Sequence, residues 1–251
     1  MTRAEQWRMA RRVAGTALVV LPGAAMAQGG PEGFLLGAPQ ASLTLRGGYG
    51  AAGANGGVFD LVTRQLTLGR GDFSSPSVGA DLGIRLAPHV DLLISGSFMQ
   101  SSSGSEFREF VRDNDSPITQ TTRFRRVPLQ VGARLWLLPP GRSVGRLAWL
   151  PNKIAPWIGA TGGATWYRFD QDGDFVDNRT FDIFPREFRS SAWGGSAQVM
   201  GGVDVSLSPR LALTTDVRYL TGSAAMRNDF ASFRTIDLSG YSANVGLTIR
   251  M

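Results

Sequence analysis

The chain has 251 residues, with 26 Lys and Arg against 20 Asp and Glu, one histidine and no cysteine, for a formal charge of +6. Without cysteine it can be neither a disulfide-stapled domain nor a protein anchored through an acylated cysteine. Four Arg and one Glu fall in the first 27 residues, so the remainder carries only +3 and the basic balance points to no nucleic-acid partner.

At the N-terminus Arg3, Arg8, Arg11 and Arg12 precede a short apolar run at 13–21, which Pro22 and Gly23 break. Ala25-Met26-Ala27 then offers the small-x-small pattern of an export-signal cleavage site. The pattern predicts a cleaved signal peptide over 1–27, an N-terminal periplasmic segment over 28–40 and a barrel domain over 41–251. The apolar run is about half the length a membrane helix needs, and no later stretch reaches about 18 uncharged apolar residues.

From residue 41 onward the recurring pattern is alternation with a period of two, in a chain whose 32 glycines are nearly twice the ordinary usage of about 7%. The first strand, 41–50, is glycine-rich and alternates loosely. In the second, Val78, Ala80, Leu82, Ile84 and Leu86 are apolar while Gly79, Asp81, Gly83 and Arg85 are tiny or charged. The third sets Val90, Leu92, Ile94 and Phe98 against Asp91, Leu93, Ser95 and Ser97, and the fourth sets Val127, Leu129, Val131, Ala133 and Leu135 against Arg126, Gln130 and Arg134. Strands over 156–169, 193–207, 210–220 and 241–251 bring the count to eight. The charged faces predict Asp81, Arg85, Asp91, Arg126, Arg134, Asp204, Arg210, Asp216 and Arg218 inside a barrel.

The connections distinguish a membrane barrel from a soluble one. Ala87-Pro88-His89 and Ser208-Pro209 are tight, whereas 51–77, 101–117, 170–190 and 222–234 are long and polar, which is the layout of barrels with short periplasmic turns and long extracellular loops. Tyr49, Phe98, Trp166, Tyr167, Trp193 and Tyr219 gather near the loop end, and Trp136, Trp149 and Trp157 near the turn end, predicting two interfacial aromatic girdles. The connection at 139–155 is long for the turn end and is expected to lie as an amphipathic segment on the inner leaflet. Residues 59–68 alternate with a slip and are read as a loop extension of the first hairpin, because bacterial barrels keep an even strand count. Phe107, Phe110 and Val111 have helical spacing and predict a short loop helix capping the barrel. If Ala87-Pro88-His89 is a three-residue loop, Arg85 falls opposite Asp91 as an ion pair at the periplasmic mouth.

The leader, the eight alternating strands, the short turns and the last strand YSANVGLTIRM together resemble the small outer-membrane β-barrel proteins, represented by OmpW, OmpX and the membrane part of OmpA. The likeness covers about residues 40 to 251 and is specific for fold rather than activity. It implies an all-β, eight-stranded antiparallel transmembrane barrel, an up-and-down meander inserted by the outer-membrane assembly machinery. The family commonly ends in an aromatic residue; Met251 stands in that place and continues the outward face of Tyr241, Ala243, Val245, Leu247 and Ile249. Contacts with outer-membrane lipid and lipopolysaccharide, a monomeric state and no cofactor are expected. Likeness to OmpW implies a narrow or laterally opening route for small apolar molecules. The alternative is a structural or adhesive barrel whose extracellular loops bind a partner.

The acidic stretch DQDGDFVDN places Asp170, Asp172, Asp174 and Asp177 in an extracellular loop, where they could offer oxygens to Ca²⁺. An EF-hand starting at Asp170 would need its bidentate Glu where Phe181 stands, so a solvated acidic loop is the preferred reading. The single histidine, His89, falls in a predicted periplasmic turn with no positioned partner, so no enzyme is expected.

Overall fold

The computed structural model describes residues 33–251 apart from 113, 146, 147, 178, 179 and 181; the predicted signal peptide at 1–27 lies outside the described residues. Eight long strands form the barrel: β1 (Ala41–Ala52), β2 (Ser75–Ala87), β3 (Val90–Val111), β4 (Pro117–Trp136), β5 (Ile154–Val176), β6 (Ile183–Ser206), β7 (Leu211–Ala225) and β8 (Gly240–Arg250). Each pairs antiparallel with its neighbours in sequence, and β8 returns to β1, so the ring closes. Closure leaves no open edge among the eight. No helix among the described residues is long and apolar enough to cross a membrane. Crossing is by strands.

Alternation in the sequence becomes a division of faces. Val78, Leu129, Val131, Val199, Val217 and Val245 point outward, each more than half exposed, while Asp81, Asp91, Arg134, Asp204 and Arg218 point inward and are buried. A water-soluble barrel has the opposite polarity.

The strands run past their expected ends. The segments 101–117 and 170–190, expected as loops, are mostly paired strand, and the true connections there are 112–116 and 177–182. Beyond the lipid both faces meet water, so no apolar stripe marks the chain although backbone pairing continues. For that reason Phe107, Phe110 and Val111 belong to β3 rather than to a loop helix. The helix comes from 59–68 instead. Helix α1 (Gly57–Gln65) buries Val58, Phe59 and Val62, and Leu66 follows buried, a spacing of three to four that the apparent period of two concealed.

At the other end the β2–β3 turn is tighter than expected. Ala87 pairs with Val90 and a bulge follows Arg85, so two residues, Pro88 and His89, make the turn, yet Arg85 still faces Asp91. The 139–155 connection forms a hairpin, Gly141–Val144 with Ala148–Pro151, to which Leu35–Leu36 adds a third strand. This pairing buries Trp149 against Arg250, 5.7 Å from its ring, in place of an amphipathic segment on the leaflet.

Candidate functional site

The interior is layered. At the turn end, Asp91 accepts from Arg85 Nε at 2.6 Å, from Arg134 at 2.9 Å and from Trp136 Nε1 at 2.7 Å. Trp157, directly opposite Trp136 in register, donates to Asp204 at 3.0 Å, and the Arg134 guanidinium lies over both indole rings at 4.4 and 5.5 Å. A hydroxyl chain, Thr44, Thr248 and Thr214, continues to Asp204 with steps of 2.6, 2.6 and 2.9 Å. Buried polar groups of this kind are stable only when satisfied, and here most of them find partners across the barrel, with Arg134 Nε and Asp204 Oδ2 left unpaired.

In the middle layer Arg218 bridges Asp81 at 2.5 Å and Asp216 at 2.7 Å, while Arg46 stands 3.3 Å from Asp81. Asn244 donates to Asp216 at 2.8 Å and Ser95 to Asp81 at 2.6 Å. An internal cavity of about 10 Å³ beside Arg46, Met99, Arg126 and Arg218 has room for about one water. Arg46, Asp81, Asp216 and Arg218 are all buried in this layer.

Above this floor the interior becomes apolar. Phe59 of α1 meets Phe73, Phe124 and Phe169 edge-on, with ring centroids 4.8, 5.4 and 5.9 Å apart, and Phe169 meets Phe230 at 5.3 Å. Tyr167, Ile236 and Leu238 belong to the same cluster. Arg126, buried just below, donates to the Leu238 and Ser239 carbonyls at 3.0 and 3.1 Å. Helix α1 is therefore a lid packed on an aromatic core that fills the outer end of the barrel and rests on an ion-paired floor.

Eight closed strands, apolar outside and charged within, decide the fold. This is the fold of the small outer-membrane β-barrels. No family model matches the chain, and no curated protein does. Among solved structures it is similar to the outer membrane protein OprG from Pseudomonas aeruginosa, at 13% identity and TM-score 0.46, over 86% of this chain and 99% of that one. Neisserial surface protein A aligns at 10% identity and TM-score 0.43, over 89% and 100%. Ail, the attachment invasion locus protein of Yersinia pestis, aligns at 10% and 0.42, over 85% and 99%. The closed ring and its polarity, rather than these distant likenesses, make the chain an integral membrane barrel of this type.

Asp81, Asp91, Arg126, Arg134, Asp204, Asp216 and Arg218 all lie inside, and Arg85 lies at the mouth, partly exposed. Arg210 does not: it is exposed in the turn before β7, because the strand starts one residue later at Leu211. Arg46, Arg250 and Asn244 are interior groups that the sequence reading missed. Arg46 and Arg250 each sit between apolar or glycine neighbours, so alternation could have found them.

Tyr49, Phe98, Trp193 and Tyr219 face outward and are exposed, with Trp166 outward and half-buried. Trp136 and Trp157 were expected in the inner girdle, as was Trp149. All three are buried, and Trp136 and Trp157 face the lumen because they share the inward phase of Arg134 and Asp204. Tyr167, also expected in a girdle, is wholly buried in the aromatic core under α1, where its hydroxyl meets Ser190 at 2.7 Å.

The acidic stretch is strand as far as Val176. Asp170 accepts from Arg168 at 2.8 Å and Arg189 at 3.0 Å, and Asp174 pairs with Arg112. Asp172 stands opposite Glu187, and Asp177 accepts from the Thr180 N–H at 3.3 Å. Among the described residues no three acidic or histidine side chains gather around a metal-sized point. His89 Nδ1 is 2.8 Å from the Trp136 carbonyl oxygen at the turn.

Proposed function

We propose that this outer-membrane barrel, exported through a signal cut before Gln28, admits small apolar molecules into the aromatic core at its outer end when the α1 lid moves aside, and releases them sideways into the membrane. The observation that carries this reading is the stacking of an apolar, aromatic core on a charged floor. An apolar solute gains by entering the first and loses by crossing the second, since the solute cannot replace hydrogen bonds to buried charges. The side exit is marked by Pro128. The β3–β4 ladder runs to Gly96↔Leu129 and resumes at Met99↔Arg126, passing a residue with no N–H to donate.

The test uses cells whose outer membrane excludes the fluorophore 1-N-phenylnaphthylamine. Cells carrying the folded barrel should take it up faster than cells without it, and Pro128→Val, which restores a donor, should slow entry. Uptake equal with and without the barrel would sink the reading.

A second reading has its own observation. β5 and β6 have 23 and 24 residues, about twice what a tilted strand needs to span a bilayer, so much of this hairpin stands clear of the lipid. Such a projection supports adhesion. Loss of surface binding on trimming its tip, with fluorophore uptake unaffected by the barrel, would favour that role.

A further inference from the structure

The register of β3 to β6 sorts the lipid-facing side into rows. Val127, Trp166 and Trp193 stand side by side. The next row outward is Gln100, Arg125, Arg168 and Ser191, and the one beyond is Ser102, Arg123, Asp170 and Arg189. Then come Gly104, Thr121, Asp172 and Glu187. Successive rows are about 7 Å apart, two residues along a strand. The order outward is aromatic, cationic, mixed and acidic.

The first cationic row holds two arginines directly opposite each other and no acid. Like charges so placed repel and destabilise a sheet. Arg125 has no acidic partner among the described residues: its Nε donates to Gln100 at 2.8 Å and its guanidinium lies over the Phe98 ring at 5.6 Å. Arg168 and Arg189 share the one carboxylate of Asp170, Arg189 also binds Glu187, and the Arg123 side chain makes no hydrogen bond or ion pair among the described residues. Four guanidinium groups thus face a single aspartate across two rows. Their depth, one row beyond the aromatic residues that mark the interface, is where lipid phosphates lie.

We infer that Arg123, Arg125 and Arg168 form a binding site for the phosphate groups of a phosphorylated glycolipid in the outer leaflet. Guanidinium groups bind phosphate oxygens through paired N–H donors, and a diphosphorylated headgroup would relieve the repulsion between Arg125 and Arg168. The acidic row above limits the site to one headgroup depth. This inference does not depend on what passes through the barrel.

The experiment titrates the folded barrel, in neutral detergent, with diphosphorylated lipid A, with its dephosphorylated form and with inorganic pyrophosphate. Bound lipid is read by native mass spectrometry and stability by urea unfolding. Diphosphorylated lipid should bind saturably, and Arg125→Gln and Arg168→Gln should each weaken it about tenfold, while Arg234→Gln leaves it unchanged. Without lipid, Arg125→Gln should be at least as stable as the parent; with diphosphorylated lipid the order should reverse. Equal binding of the dephosphorylated lipid, unweakened binding by both variants, or failure of Arg125→Gln to fold would each overturn the site. Displacement of lipid by equimolar pyrophosphate would overturn its assignment to a lipid headgroup.

Discussion

Trp136 and Trp157 stand opposite each other on β4 and β5, both facing into the barrel, and each gives its indole N–H to a different buried carboxylate. Their arrangement converts two side chains suited to a membrane interface into the hydrogen-bond donors of a polar floor. Arg134 pairs with Asp91 and stacks on both rings, and so reaches Asp204 only through the indole of Trp157.

Removing Asp91 should therefore cost more than removing either indole donor. Asp91→Ala leaves Arg134 buried without its anion, a loss of about 3 to 5 kcal/mol. Trp136→Phe removes one hydrogen bond to a charged acceptor, about 1.5 to 3 kcal/mol. Urea unfolding of the barrel in lipid vesicles measures both. If Asp91→Ala costs no more than Trp136→Phe, the floor is hydrated rather than dry.

The lid makes a second prediction. Phe59 is wholly buried and touches three other phenylalanine rings, so Phe59→Ala should destabilise the packing of the lid by about 3 to 5 kcal/mol. Because α1 holds no strand together, the barrel itself should survive, with its boiled and unboiled electrophoretic mobilities still distinct. Limited proteolysis should cut within 57–65 faster than in the parent. Unchanged cleavage would show that α1 is held by something other than this ring cluster.

Two neighbouring glycines give opposite expectations. A Cβ on Gly163 would sit 2.2 Å from the Leu129 carbonyl oxygen, which backbone pairing holds in place, whereas a Cβ on Gly162 would meet nothing within 4 Å. Gly163→Ala should lower stability by about 1 to 3 kcal/mol or more, and Gly162→Ala should be neutral within about 0.5 kcal/mol. Comparable unfolding midpoints for the two variants would mean that β4 and β5 are further apart than their pairing indicates.

Much of the barrel was legible in the sequence because lipid imposes one rule on every strand. Across the membrane each residue meets either hydrocarbon or the interior, so Val78, Leu82 and Ile84 had to share one face and Asp81 and Arg85 the other. The tight β2–β3 turn then placed Arg85 opposite Asp91, and the bulge near Ala87 did not disturb that pairing. Where the lipid rule stops, only the folded chain decides. Outside the bilayer, polar residues face water on both sides of a strand, so the extent of β3 to β6 rests on backbone pairing that leaves no periodic trace. The α1 lid depends on the aromatic side chains of β4 and β5 that receive Phe59, residues more than 60 positions away. Trp136 and Trp157 took the inward side because an indole N–H buried beside a carboxylate is satisfied, and that partnership exists only once the ring of strands has closed.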